Sequence, residues 1–447
     1  MTTVPIGRAF TLLAEREPAR PAVCVGDRVV TRAELESLGN RLARTWARRG
    51  VGVDDLVTIL LPNGVDAVLA SVAAWKLGAT PQPLSPRLPE AERARLLQAA
   101  RPRLVVDAPV EVAVPDDGPL PDAVASSWKA PTSSGSTGAP RLLLDPHPSL
   151  VDPDRPVAPF VPQDVVQLVA GPLSHAAPYV YAMRGLMTGH ELVVLPRFDA
   201  GEALAAIERH RVGWAMLVPA TMARIWRHPA RAATDVSSLQ SVLHLAARCP
   251  EPLKRAWIGW LGPERVVEVY AGTEAQGLTS IRGDEWLERP GSVGRPVPGS
   301  RFRAVRPDGS ECAPGELGEL RMQRDGGLSG WHGLGDAGWL DDDGYVFVAD
   351  RLDDAITTGG VTVHPADVEA VVDSHPAVRS SVAVGRPDPE LGERVHVVAE
   401  SDADPEELLA WARARMDPEK APRTLEVIEE VLRDDTGKVR RGRWKVT

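Results

Sequence analysis

Cysteine is nearly absent. Cys24, Cys249 and Cys312 are the only three in 447 residues, they are scattered, and no C-x-x-C pair occurs. This argues against a disulfide framework and a structural zinc site, and it fits a reducing cytoplasm. No metal-ligand pattern is legible along the sequence either. No stretch approaches the ~18 apolar residues of a membrane-spanning helix, and the N-terminal MTTVPIGRAFTLLAEREPAR lacks the basic head and long apolar run of a secretory signal. An excess of positive charge is also missing. Against 51 Lys and Arg stand 61 Asp and Glu, a net charge of -10, so there is no electrostatic case for a nucleic-acid or membrane partner. Lysine itself is scarce: six of the basic residues are lysines, so a lysine in a functional place is not expected to be background. Internal repeats and low-complexity tracts are absent as well.

What is present is an ordinary globular composition, 43% hydrophobic and 25% charged. At roughly 100 to 200 residues per domain the length allows two to four domains. Apolar residues at helical spacing predict a helix over Glu34 to Arg49, and LVTILL from Leu56 reads as a buried strand. Val65 to Lys76 then reads as a helix stopped by GATPQPL, with a short strand at Leu104 to Val106. Strand alternating with helix recurs to about Trp260, the βαβ signature of an α/β fold with a largely parallel sheet. From about Gly291 closely spaced strand and turn signals predict an antiparallel, barrel-like or meander segment. After Asp350 the pattern becomes that of a small α+β domain, with helices at Pro365 to Ser374 and Pro405 to Met416.

Four stretches carry chemistry. In TSSGSTGAPR, Thr132 to Arg141, glycines and hydroxyls make a loop whose N–H and O–H groups can wrap a phosphate; the same composition also serves a flexible linker. It is not a Walker-type loop, since G-x-x-x-x-G-K-[ST] is absent. VYAGTEAQ, Val269 to Gln276, ends a strand with an aromatic ring, a hydroxyl and a carboxylate at one sheet end, where open α/β sheets bind ligands. A plain strand-terminating turn is the alternative. GDAGWLDDDGY, Gly335 to Tyr345, places Asp336 in a tight loop suited to accept two hydrogen bonds from vicinal hydroxyls, while DDDG reads as a hairpin turn. The last stretch, DDTGKVRRGRWKVT from Asp434, is either a basic tail or a device that positions the Lys438 ammonium after a T-G turn.

Taken in order, the TSSGSTGAP loop, YAGTE, GDAGW, DRLDD, the GG-x-x-x-x-P-x-D-V-E run from Gly359 and the terminal TGK resemble the adenylate-forming superfamily. That superfamily comprises acyl-CoA synthetases, nonribosomal-peptide adenylation domains and luciferases. The resemblance covers essentially the whole chain. It implies a large N-terminal adenylation domain, residues 1–352, of mixed βα layers plus a β-barrel-like segment, and a small mobile C-terminal α+β domain, 353–447, with its hinge at Asp353. It further implies that a carboxylate attacks the α-phosphate of Mg·ATP and that a thiol then takes the acyl group and releases AMP.

Residue by residue, the resemblance assigns the β- and γ-phosphates to Thr132, Ser133, Ser134, Gly135, Ser136, Thr137, Gly138 and Arg141. Tyr270 would pack on adenine beside Ala271 and Gly272, and Thr273 would contact the α-phosphate. Glu274 would ligate Mg²⁺, the one metal ligand expected, Asp336 and Arg351 would bind the ribose hydroxyls, and Lys438 would bridge carboxylate and α-phosphate. Gly359 and Gly360 would reach the thiol tunnel after the hinge turns. His175 would gate an acyl pocket lined by Ala177, Pro178, Tyr179, Tyr181 and Met183, with core packing the alternative for the lining residues.

Between the phosphate loop and YAGTE, the segment GPLSHAAPYVYAMRGLMTGH holds no carboxylate to pair with a substrate ammonium, which disfavours an α-amino acid. This region is most similar to acid-CoA ligases of the bile-acid and related polycyclic or aryl type. It implies a bulky, largely apolar acid, of terpenoid or polyketide origin in secondary metabolism. The cofactors implied are ATP, Mg²⁺ and coenzyme A. A carrier protein acting in trans, an amine acceptor, a homodimer and a noncatalytic nucleotide-binding homologue stay open. The chain departs from the family pattern at Arg141, where a lysine is usual, in RLLLDPHPSL after it, and in an abbreviated stretch before GDAGW.

Overall fold

A computed structural model describes residues 3–132, 142–272, 276–327, 329–433, 439 and 441–445, apart from the side chain of Asp353. The chain is mixed α/β and divides into two compact units, Met1–Leu217 with Arg227–Leu243 and Val218–Trp226 with His244–Thr447.

In the first unit the strands Trp214–Leu217, Val166–Val169, Glu191–Val194 and Pro21–Val25 lie side by side in parallel, and the hairpin strand Arg28–Thr31 closes the edge. A second parallel sheet joins Thr80–Pro83, Leu56–Ile59 and Leu104–Val106. The helix Val65–Lys76 has the bounds its sequence predicts. It is apolar on every face, as a helix buried on all sides must be. Gly7 and Gly39 admit the neighbouring helices to it: a Cβ at Gly7 would stand 2.9 Å from the Lys76 Cα, and one at Gly39 3.0 Å from Val72 Cγ1. Trp75 anchors the core, its ring centroid 6.2 Å from that of Phe10 and 6.4 Å from those of Trp128 and Tyr179. The helix predicted from Glu34 runs Arg32–Ala47, because Thr31 caps it: its hydroxyl accepts the Glu34 N–H at 3.2 Å while its own N–H donates to the Glu34 carboxylate at 2.8 Å.

The second unit contains an antiparallel run ordered Ser300–Val305, Gly318–Arg324, His332–Leu340, Val346–Arg351, Ser292–Pro296, Leu278–Arg282 and Val266–Ala271. This is the meander form of the predicted segment. The acidic run is a hairpin turn, as its sequence predicts: Asp341 accepts the N–H groups of Asp343 and Tyr345 at 3.0 and 2.8 Å, and Gly344 takes φ 79°. The C-terminal residues form their own sheet, Val361–Val363, Ile356–Thr358, Gly392–Ser401 and Val378–Asp388, with Thr424–Ile428 joining in parallel to Gly392–Ser401. Its own apolar core includes Val368, Val372, Val397 and Leu408.

Candidate active site

The segment 133–141, which holds Ser133, Ser134, Gly135, Ser136, Thr137, Gly138 and Arg141 of the expected phosphate loop, lies outside the described residues. Its flanks are described, and they pair with each other. Thr132 bridges Leu142, the Leu143 N–H donates to the Pro131 carbonyl at 2.9 Å, and the Asp145 N–H donates to that of Lys129 at 3.1 Å. A buried ion pair, Lys129 Nζ to Asp145 at 2.6 Å, clamps this stem. Burial pushes the Asp145 carboxyl up, but Lys129 and the His147 N–H outweigh it and hold it below its usual range. Both flanks belong to one antiparallel stem within one unit. The linker alternative would need flanks that diverge into separate bodies.

In the second unit, Tyr270 sits near the end of Val266–Ala271 and Asp336 within His332–Leu340. Asp336 is therefore a strand residue, not the tight-loop residue its Gly-Asp-Ala context suggests. The register sets Asp336 directly opposite Arg351, with a bulge just beyond at Ala337/Gly338. Cross-strand neighbours on one face touch, and Arg351 Nη1 lies 3.6 Å from Asp336 Oδ1. The other carboxylate oxygen accepts the Tyr270 hydroxyl at 2.6 Å. Burial pushes the Asp336 carboxyl up, while the Tyr270 hydroxyl and Arg351 act against that. Burial and the adjacent Asp336 charge push the Tyr270 phenol up, so it stays a neutral donor. Tyr270 also packs on Phe302 at 6.1 Å between ring centroids. Ala271 and Gly272 follow, and a Cβ at Gly272 would come within 2.6 Å of Leu334, so no larger residue fits there without a shift. Thr273, Glu274 and Lys438 lie outside the described residues.

Asp353 falls in the short turn Leu352–Asp354 that follows Val346–Arg351. Gly359 and Gly360 form the two-residue turn between Ile356–Thr358 and Val361–Val363, with φ values of 56° and 83°. Both are left-handed, which is why this hairpin needs the pair of glycines.

The expected acyl-pocket residues lie on Ala176–Met187 in the first unit, with His175 as its N-terminal cap residue. They divide into two groups. Ala177, Pro178 and Tyr181 are half-buried. Tyr179 is 2% exposed, its hydroxyl 3.1 Å from that of Ser71, and Met183 is 0% exposed in the same core. Full burial against Trp75 and Ser71 makes Tyr179 and Met183 core residues, the packing side of the two readings.

Sequence reasoning missed Asn63. Its side-chain amide donates to the Gly171 carbonyl at 2.9 Å and the Leu195 carbonyl at 3.0 Å, and its Oδ1 accepts the Leu173 N–H at 2.7 Å. It thus ties together the carboxyl ends of Leu56–Ile59, Val166–Val169 and Glu191–Val194, with its partner Leu173 two residues before His175 in the chain. The signal was P-N-G after a strand run, which reads locally as a turn and says nothing of distant partners.

A family profile described as "AMP-binding enzyme" matches residues 10–129 and 130–332, and one described as "AMP-binding enzyme C-terminal domain" matches 367–438. A feruloyl-CoA synthase of Amycolatopsis sp is 30% identical over 96% of each chain. The fatty acid–[acyl-carrier-protein] ligase ScoC of Streptomyces coeruleorubidus is 28% identical, over 96% of this chain and 93% of that one. Among solved structures, the o-succinylbenzoate CoA synthetase (MenE) of Bacillus subtilis in complex with its acyl-adenylate intermediate superposes with a TM-score of 0.82. The match covers 100% of this chain and 99% of that one, and at 24% identity it is a likeness of fold.

Proposed function

This chain belongs to the AMP-binding enzyme family, and on that premise we propose that it joins a bulky, largely apolar carboxylic acid to coenzyme A through an acyl-adenylate. The acid's carboxylate attacks the α-phosphorus of ATP, the bond to pyrophosphate breaks, and a mixed anhydride with AMP forms. The thiolate of coenzyme A then attacks the acyl carbon, the bond to the AMP oxygen breaks, and the thioester leaves with AMP.

The observation that carries this reading is the carboxylate of Asp336, held between Arg351 and the Tyr270 hydroxyl by strand register. It is a preorganised acceptor for paired sugar hydroxyls, next to an aromatic ring suited to adenine. The loop on the Lys129–Asp145 stem supplies N–H and hydroxyl donors for the phosphates from Thr132 to Gly138, with Arg141 as its cation. Thr273 serves the α-phosphate, and the hard carboxylate oxygens of Glu274 suit Mg²⁺. When bound, Mg²⁺ neutralises charge at the phosphates. Lys438 stabilises the charge that develops as the carboxylate attacks. The 353–447 segment turns about Asp353 between the half-reactions, exchanging Lys438 for the Gly359–Gly360 turn at the thiol's approach. His175, Ala177 and Pro178 border the acyl site. The relatives named for feruloyl and fatty acyl groups fit an apolar acid, as does the lack of Asp or Glu from Gly171 to His190. The three free cysteines suit a reducing cytoplasm.

Pyrophosphate release over a panel of aryl, polycyclic, fatty and α-amino acids, with and without coenzyme A, tests the reading. Release with one of the apolar classes and appearance of its CoA thioester is expected. Silence with every acid would overturn it in favour of a nucleotide-binding homologue. Release without a CoA thioester would move the acceptor to a carrier protein or an amine.

A narrower expectation concerns the nucleotide. Asp336→Ala should raise the KM for ATP in pyrophosphate exchange by ~10- to 100-fold, the value of hydrogen bonds to a charged acceptor. Tyr270→Phe keeps the ring and should raise it by less. Equal losses in the two variants would show that the phenol hydroxyl, not the carboxylate, is the principal contact.

A further inference from the structure

Three side chains far apart in the first unit's sequence converge. Cys24 lies in Pro21–Val25, Glu191 begins the neighbouring parallel strand Glu191–Val194, and His210 follows the helix Ala200–Arg209. One potential ligand atom from each lies within 4.8 Å of the other two. The sequence shows no metal-ligand pattern because none of these residues is near another along the chain; the fold alone assembles them. We propose that Cys24, Glu191 and His210 bind a divalent cation of the zinc class.

The donor set selects the ion. A sulfur, an imidazole nitrogen and a single carboxylate suit zinc, whereas magnesium and calcium take oxygen ligands almost exclusively. The spacing also fits. In a tetrahedron with bonds of about 2.3 Å to sulfur and 2.0 Å to oxygen, the two ligand atoms stand about 3.5 Å apart. Cys24 Sγ and Glu191 Oε1 are 3.3 Å apart, held there by adjacent strands whose register sets Cys24 opposite Val193. His210, within 4.8 Å of both, sits at a helix end, where the chain yields more readily than in a strand.

Access is asymmetric in a useful way. Cys24 is 2% exposed while Glu191 and His210 are half-buried, so an ion enters from the carboxylate and imidazole side and keeps a solvent-facing fourth position for water. On binding, the Cys24 thiol gives up its proton to solvent and the sulfur bonds the metal; no redox partner is needed. The bound ion would pin two strands and a helix end to one another.

The test uses the full chain, free of any histidine tag and stripped with a chelator. Zn²⁺ alone is titrated by equilibrium dialysis with elemental analysis, and Co²⁺ alone is added as a spectroscopic probe. The expected result is one equivalent of zinc per chain and a cobalt adduct with a thiolate charge-transfer band. Cys24→Ser and His210→Ala should each weaken zinc binding at least ~10-fold, while Cys312→Ser leaves it unchanged. Zinc affinity unaltered in His210→Ala, or a cobalt adduct without the thiolate band, would overturn the proposal. His210→Ala alters a half-buried position, so it decides the matter even if Cys24→Ser does not fold. Pyrophosphate release in Mg²⁺ without zinc should be unaffected by His210→Ala, so failure of the metal site and failure of the ligase reading are separately visible.

Discussion

Lys438→Ala is expected to lower ATP-dependent pyrophosphate release at least ~100-fold, a loss typical of removing one transition-state charge stabiliser. Thioester formation from a supplied acyl-adenylate should stay within about 3-fold of the parent. The first half-reaction brings two anions together, a carboxylate and the α-phosphate, and charge builds on the oxygens between them; an ammonium placed there acts on the transition state. In the second half-reaction the phosphate is already a leaving group and the nucleophile comes from the thiol, so the same ammonium has nothing comparable to do. Lys438 precedes by three positions an anchored residue, Arg441, whose Nη1 pairs with Glu369 and whose Nε lies 3.2 Å from Asp354. Arg441 is thus tied to the turn beside Asp353. Rapid-quench measurement of each half-reaction separates the outcomes. Equal losses in both would place Lys438 in some shared structural task.

The second large effect is on stability. Lys254, 1% exposed, donates to Glu268 from inside the second unit, and its ammonium lies 4.5 Å from the ring centroid of Trp286. His244 completes the cluster, its Nε2 4.0 Å from Glu268, and burial pushes its pKa down to about 4, so it stays neutral and does not replace the lysine's charge. Lys254→Met strands the Glu268 carboxylate in an apolar setting, at a cost of ~3–5 kcal/mol. The urea unfolding midpoint should fall accordingly. Replacing both partners, Lys254→Met with Glu268→Leu, should recover most of the loss, because no unpaired charge remains. A deficit untouched by the second substitution would assign the effect to packing against Trp286 alone.

These lysines also show where composition misleads. Scarcity suggests that each lysine has a functional post, yet Lys76, Lys129 and Lys254 are buried in pairs with Glu36, Asp145 and Glu268. They are structural, and an arginine, bulkier and planar, would not take the same space. Periodicity fared better. The helix Val65–Lys76 was legible because every face is apolar and glycine and proline end it; the strand Leu104–Val106 was legible for a similar reason. The motifs located Tyr270, Asp336 and Arg351, but their mutual geometry is a matter of register, and register couples residues far apart: Tyr270 and Asp336 are 66 positions distant, Cys24 and Glu191 167. Local spacing carries no information at that range. Asp336 looked like a loop residue because its Gly-Asp-Ala-Gly context suggests a turn, when here it accommodates a strand with a bulge. For Tyr179 and Met183 the sequence left pocket lining and core packing open, because an apolar helix face reads alike whether it borders a cavity or a core.

Asn63 has a dynamic counterpart. One carboxamide serves three strand ends at once, so none of the three can loosen without leaving polar groups of the others unsatisfied. Opening there is cooperative: the Leu173 amide should exchange its hydrogen with solvent only when the whole junction parts, at a single rate shared by the three loops. A lone side chain thereby does what a covalent crosslink does in secreted proteins, coordinating breathing across two sheets, and it does so in a chain with almost no cysteine to spare.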